Sequence, residues 1–367
     1  MRLRRKVALM ALALGGGLAG TLLLVAATVC LSSGCSTVGY LAQAAGGHLD
    51  LLGRAQPVAT LLADPATPEP LRLRLLLSQR LRDFAVSELQ LPDNGSYRRY
   101  ADLQREAVVW NVVAAPELSL TLKTWCFPVM GCVGYRGHFK QADADAEAAL
   151  LRASGWEVGV YGVPAYSSLG WSNWVGGDPL LNTFIDWPEG SLAQLIFHEL
   201  AHQVAYAADD TTFNESFAVA VERIGSHRWL DRYATPEARA AFARAESRRE
   251  DFRALTLRYR HALQAVYAGS GDDAAKRADK ARVMAELHAE YARIKTERWG
   301  GYAGYDSWVA QANNASFGVQ AAYNELVPEF ERLYAQQGGD FKRFYAAVQA
   351  LAALPKPQRR AQLGATP

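Results

Sequence analysis

Long blocks of one charge, internal repeats and low-complexity tracts are all missing from this sequence. Its 39 basic residues stand against 37 acidic ones, a formal charge of +2, with the two signs interspersed. That balance gives no electrostatic footprint for nucleic acid, so no nucleic-acid partner is expected. Cysteine is scarce, with four in 367 residues. Two of them, Cys30 and Cys35, sit near the N-terminus. The other two, Cys126 and Cys132, flank Phe-Pro-Val-Met-Gly. Pro128 and Gly131 favour a turn between them, and outside the cytoplasm the pair reads as one small-loop disulfide. Two free thiols are the alternative. A metal held by this pair has no further cysteine nearby to complete it.

What is present is an ordinary globular balance, half apolar and about a fifth charged, in a chain long enough to bury a core in one or two domains. The N-terminus is the exception. Arg2, Arg4, Arg5 and Lys6 precede an apolar run from Val7 to Val29, and Leu31-Ser32-Ser33-Gly34-Cys35 follows. This resembles a bacterial lipoprotein signal, with Leu31 one place further from the cysteine than usual. Residues 1–34 are therefore expected to be a signal peptide, with Cys35 as the lipidated residue tethering the mature chain to a membrane. Ser36 then resembles an outer-membrane sorting signal. The alternative is an uncleaved anchor, since the run is about long enough to span a bilayer. Both readings put the globular part in the cell envelope, facing the periplasm.

Hydrophobic periodicity and turn signals divide the rest. Residues 35–70 read as a short helix and a linker. Residues 71–230 open with an amphipathic helix to about Leu89. Strands follow near Val108–Ala114 and Val158–Val163, with a helix over Ala142–Arg152 between them. A long loop spans 164–190. Next come a helix from Ser191, its expected N-cap, to Ala207 and a second helix from Asn214 to Gly225. Residues 231–355 read as helical, broken near Gly269–Gly271, Gly300–Gly304 and Gly338-Gly339. Residues 356–367 read as a disordered tail. The expected class is α+β, predominantly helical, with a catalytic region followed by a helical C-terminal lobe.

The chemistry concentrates in His198-Glu199-Leu200-Ala201-His202. Two histidines four apart on a helix share one face, so both imidazoles can reach one zinc ion. Glu199 is offset so that it can take a proton from a water activated there. Leu195-Ile196-Phe197 would bury the pair, and buried histidines need partners. His288 is a control within the same chain, because its helix offers no second histidine in reach and a solvated role suffices. A catalytic zinc site takes a third protein ligand. Glu215 is favoured, thirteen residues after His202 on the returning helix, although an acidic residue near a helix start also suits the helix dipole. His227, Asp209 and Asp210 are rivals. Glu222, seven residues beyond Glu215, either orients a ligand histidine or is an ordinary exposed acid.

His198-Glu-Leu-Ala-His202-Gln followed by Phe213-Asn-Glu-Ser-Phe-Ala218 is similar to the gluzincin pattern. More widely, the chain resembles a family of Gram-negative bacterial lipoproteins described as predicted aminopeptidases. The resemblance rests on Gly34-Cys-Ser-Thr-Val38, Leu91-Pro-Asp-Asn-Gly-Ser-Tyr97, Trp110-Asn-Val-Val-Ala-Ala-Pro-Glu-Leu118 and Trp125-Cys-Phe-Pro128. It continues through Gly131-Cys-Val-Gly-Tyr-Arg-Gly137 and Val163-Pro-Ala-Tyr-Ser-Ser-Leu-Gly-Trp171, and is fainter at Asn313-Asn314 and Val327-Pro328. It implies a zincin-like catalytic unit binding one zinc per chain and acting on peptides. The spacer from His202 to Glu215 is shorter than in many gluzincins.

Two further roles are assigned by chemistry. Tyr166 is the candidate donor for a tetrahedral oxyanion, with Tyr302 and Tyr305 as rivals. Glu117 is the candidate carboxylate for a substrate amine, or a structural turn residue. Arg136 either binds a substrate carboxylate or pairs with an acid. The expected function is zinc-dependent peptide hydrolysis with Glu199 as general base. A non-enzymatic zinc-containing envelope lipoprotein and a hydrolase of a non-peptide amide are the alternatives. Glu199 separates the first of these, because a purely structural zinc needs no base.

Overall fold

A computed structural model describes residues 35–127, 131–165, 176–208, 210–320 and 325–364. The chain divides into two units, Met1–Gly53 and Arg54–Pro367. Among the described residues the first holds helix α1 (Cys35–Arg54), which runs to the boundary. No helix among the described residues is long and apolar enough to cross a membrane.

The second unit is α+β and mostly helical. Its N-terminal part contains β1 (Gln56–Pro57), α2 (Val58–Ala63), α3 (Glu69–Ser87) and β2 (Arg99–Ala101). Then come β3 (Val109–Pro116), β4 (Trp125–Phe127), β5 (Gly131–Val133), β6 (Arg136–His138), α4 (Gln141–Ala153), β7 (Trp156–Val163) and β8 (Leu180–Leu181). β3 is the centre of an antiparallel sheet ordered β6-β3-β7. Its near-continuous apolar run is explained by cover on both faces. Successive side chains alternate. Val112 and Ala114 pack with Ala144 and Ala148 of α4, whereas Val113 and Ala115 pack with Ala315 from the C-terminal half. β1 pairs antiparallel with β2, and β2 pairs parallel with β8. Cys126 and Cys132 are joined across the β4–β5 pair.

Helices α5 (Glu189–Ala201) and α6 (Thr211–Tyr233) follow, and lie against each other. Both differ from the sequence expectation. α5 starts at Glu189 after Pro188, not behind a Ser191 cap, and Glu189 accepts a hydrogen bond from the Trp229 indole of α6 at 2.7 Å. It stops at Ala201, because the chain turns after His202 to send α6 back. α6 runs eight residues past Gly225. That glycine does not end the helix. It permits close approach, since a Cβ there would lie 2.6 Å from Leu89 and 2.9 Å from Phe197 of α5.

The helical half comprises α7 (Pro236–Ala268), α8 (Asp273–Glu297), α9 (Asp306–Ala310), α10 (Asn314–Gln320), α11 (Val327–Gln336) and α12 (Phe341–Ala352). Thr235 and Asp272 cap α7 and α8 by accepting from Ala238 N and Asp272's third neighbour, Ala275 N. The α7–α8 hairpin buries Phe252, Leu255, Leu263 and Leu287. Gly300, Gly301, Gly338 and Gly339 all have positive φ, at the expected breaks. The segment expected to be a disordered tail instead carries α13 (Lys356–Leu363). Its Arg359 side chain, 3% exposed, reaches Asp210 at 3.0 Å, and Arg360 reaches the same carboxylate at 2.6 Å. Sequence periodicity alone does not show that the tail holds the partner of a buried acid.

Candidate functional site

The site forms where α5 ends and α6 begins. Asp210 caps α6, its carboxylate accepting from Phe213 N at 3.2 Å. The Asn214 amide then brackets Ala207, donating to its carbonyl and accepting from its N–H, both at 2.8 Å. These two hydrogen bonds tie the start of α6 to Ala207, and the next residue, Glu215, faces the histidines.

Three atoms able to ligate a metal converge there. His198 Nε2 lies 3.2 Å from His202 Nε2. Glu215 Oε2 lies 3.3 Å from the first and 3.6 Å from the second. The two rings meet edge-on, with centroids 4.8 Å apart and planes at 84°. Metal–ligand bonds of about 2.0–2.2 Å in tetrahedral array put ligand atoms roughly 3.3–3.6 Å apart. The observed triangle is of that size. His198 Nδ1 faces Glu222 Oε2 at 2.8 Å. A carboxylate accepts only from a protonated nitrogen, so Glu222 holds a proton on Nδ1 while Nε2 points into the triangle. The buried His202 Nδ1 has no hydrogen-bond partner among the described residues.

The electrostatics follow from this packing. Burial alone would lower the His198 pKa, but hydrogen bonds to Glu215 and Glu222 raise it well above its ordinary value. Burial pulls Glu215 upward, yet the bonds from His198 and His202 hold it well below the usual carboxylate range. Burial raises Glu199, and the neighbouring histidines only partly oppose that. Three carboxylates thus crowd two imidazoles, an excess of negative charge that a divalent cation would offset.

Residues 39–363 match the sequence profile of a family described as "Putative aminopeptidase". The chain belongs to that family. No curated protein and no solved structure matches it.

For a member of this aminopeptidase family, several other sequence candidates fall away from the triangle. His227 stands twelve residues beyond Glu215, about 18 Å along the helix, exposed and paired with Glu246 at 3.1 Å. Asp210 is engaged by Arg359 and Arg360. Tyr305 stacks on Phe252 at 3.9 Å in the α7–α8 core, and Tyr302 lies beside it under Arg248. Glu117 is exposed at the end of β3 and forms a salt bridge with Arg277 at 2.9 Å. That pair bridges the sheet and the helical lobe. Arg136 pairs with Glu147, which also receives His138 at 2.6 Å. His288 bonds the Val309 carbonyl. Tyr166 and Asp209 lie outside the described residues.

Three tyrosines without a sequence signal sense the charge of these carboxylates. Tyr161 on β7 and Tyr206 after the motif both feel the charge of Glu215, and Tyr97 feels that of Glu199. Tyr97 lies in one of the stretches that carry the family resemblance. Nothing in residue type or spacing ties a residue a hundred positions upstream to Glu199.

Proposed function

We propose that this protein is a zinc-dependent metallopeptidase of gluzincin type, acting on peptides as an aminopeptidase. One zinc per chain is held by His198, His202 and Glu215 in a zincin-like unit. The observation that carries the reading is the triangle of two Nε2 atoms and one carboxylate oxygen, with edges of 3.2, 3.3 and 3.6 Å and Glu222 setting the tautomer of His198.

Zinc bound there would polarise a scissile carbonyl and acidify a water molecule. The remaining work falls to the chain's own side chains. Glu199 follows His198 directly and interacts electrostatically with both histidines. Burial raises its pKa toward neutrality, which suits a base that must accept a proton and then return it to a leaving amine. Glu222 holds His198 in one orientation, so the ligand set is preorganised before metal arrives. Asn214, bonded to Ala207 through both its amide atoms, holds the first turn of α6, and with it Glu215, close to the end of α5.

The test separates base from ligand. Purified, zinc-loaded protein is given a peptide library and cleavage is read by mass spectrometry. Glu199→Gln should keep about one zinc per chain and lose roughly 10²–10⁴-fold in turnover, the usual range for a positioned acid–base group. Hydrolysis at the wild-type rate by Glu199→Gln would sink the mechanism. Cleavage one residue at a time from the N-terminus is the expected pattern.

We further propose that Cys35 is acylated and that the protein faces the periplasm from a membrane surface, with the outer membrane the expected one. The support is the basic, apolar and small-residue order of residues 2–35. A clickable fatty acid should label the wild type and leave Cys35→Ser unlabelled. Equal labelling of both would exclude it.

A further inference from the structure

One loop over the motif helix is built more firmly than packing alone requires. Arg82 of α3 is fully buried. Its Nε donates to the Ser96 carbonyl at 3.0 Å, and its Nη2 donates to the carbonyls of Pro92 at 2.5 Å and Asn94 at 3.3 Å. Gln79 donates to the Tyr97 carbonyl at 3.0 Å, and Tyr97 N donates to the Asp178 carbonyl at 2.7 Å. The second segment approaches so closely that a Cβ on Gly177, itself at φ +72°, would lie 2.3 Å from Ser96 N. Tyr97 is held at φ +62°. A bulky residue rarely adopts that conformation, and where it persists the surroundings impose it.

The loop is also tied to the motif. Asn94 Nδ2 donates to Gln203 Oε1 at 2.7 Å, and Gln203 Nε2 donates to Ser96 Oγ at 3.2 Å. Gln203 follows the end of α5, its N–H bonded to the Leu200 carbonyl at 3.1 Å, so it continues the last turn of the helix just beyond Glu199. Residues 94–97 therefore lie against the end of the helix that carries Glu199. Within that loop the Tyr97 side chain is 1% exposed, and its hydroxyl has no hydrogen-bond partner among the described residues. A buried hydroxyl is seldom left so, because the unmade bond is costly.

We propose that Tyr97 is a positioning residue for Glu199: its hydroxyl donates, across one bridging water, to the Glu199 carboxylate and fixes the orientation of that side chain. The proposal rests on the reading of Glu199 as the proton acceptor. Burial drives the phenol well above its ordinary pKa and the charge of Glu199 adds to the shift, so the group stays protonated and remains a donor. Water-bridged bonds of this kind are nearly as favourable as direct ones.

The test is a thermal double-mutant cycle on the metal-free full chain at neutral pH, with Tyr97→Phe, Glu199→Met and the double variant. Phe keeps the ring and the backbone geometry, and Met keeps the length without an acceptor. Tyr97→Phe should lower Tm by about 2–4 °C in the wild type and leave it unchanged in Glu199→Met. Equal shifts in both backgrounds would overturn the proposal, as would a rise in Tm in both. A second readout uses zinc-loaded protein, where Tyr97→Phe should lower kcat roughly tenfold at unchanged zinc content and unchanged KM. An unchanged kcat also overturns it. If the wild type cleaves no peptide, the peptidase reading fails while the thermal cycle still decides the role of Tyr97.

Discussion

Asp210 and Glu215 stand five residues apart at the start of α6, the first buried and the second half-buried, and both are carboxylates held below their ordinary pKa. Their partners differ in kind. Asp210 is 0% exposed and is met by the guanidinium groups of Arg359 and Arg360, which are always charged, with Lys356 further off at 3.9 Å. The cluster is closed, its charge answered from within the chain. Glu215 is met by two imidazoles whose Nε2 atoms face each other as well as the carboxylate. Among the described residues this is the group of histidines and carboxylates whose ligating atoms lie close enough together to share one metal ion. A buried acid facing arginines is part of the scaffold. An acid facing two histidines, side chains that can either carry a proton or ligate a metal, is a place to look for a ligand.

The largest expected effect tests the open half of this contrast. Glu215→Ala or His202→Ala should abolish zinc binding and peptide hydrolysis together, because affinity depends on the full ligand set. Asp210→Asn should keep one zinc per folded chain. Metal content by mass spectrometry, measured beside hydrolysis, checks both. Full zinc and full activity in Glu215→Ala would remove Glu215 from the ligand set.

The closed half predicts the reverse. Arg359→Ala should cost about 3–5 kcal/mol, as expected when one partner of a buried ion pair is removed, while the protein that remains folded binds zinc normally. Urea unfolding with metal titration separates the two effects. A change below about 1 kcal/mol would mean that Arg359 and Asp210 do not stabilise each other in solution.

The contrast also marks what sequence could show. A pair of histidines at helical spacing with a glutamate on the next helix is a local signal, so the meeting of His198, His202 and Glu215 is legible in the sequence. The sheet strand near Val108–Ala114 was equally visible, because β3 is apolar on both faces. The misses are matters of distance. Ser191 looked like a cap because it precedes an apolar helix, whereas the helix starts at Glu189, whose carboxylate takes the Trp229 indole forty residues on. Gly225 looked like a stop because its Cβ-free contact with Leu89 is not visible in one dimension. The tail looked disordered because its arginines had no visible acid, and Asp210 lies 149 residues from Arg359. Tyr97 gave no signal because only coordinates show a hydroxyl without a partner.

A smaller effect comes from the bond between the two helices. Glu222→Ala should leave the three ligand atoms in place but free the His198 ring. Zinc affinity should weaken by 10–100-fold, the usual cost of losing a ligand's supporting carboxylate. Competition with a chromophoric chelator would read it. An unchanged affinity would mean that packing around His198 suffices to fix its tautomer.

The smallest expected effect is the pH dependence of the closed cluster. Burial raises the Asp210 pKa, but the bonds from Arg360, Phe213 N and Arg359 outweigh it and the folded value lies below the ordinary one. The sign follows from linkage. A group depressed in the folded state contributes stability that is complete above its unfolded pKa, about 3.9, and loses it as pH falls through the folded value. The difference in unfolding free energy between wild type and Asp210→Asn should therefore be flat from pH 5 to 8 and shrink below about pH 4. Asn is chosen because it caps helices as well as Asp does, so the bond to Phe213 N survives and only the charge is lost. The change is small because acid unfolding of the whole chain leaves little of the titration accessible. A difference that stays constant down to about pH 3 would show that the charge on Asp210 contributes nothing to the fold. The contrast with Glu215 would then rest on geometry alone.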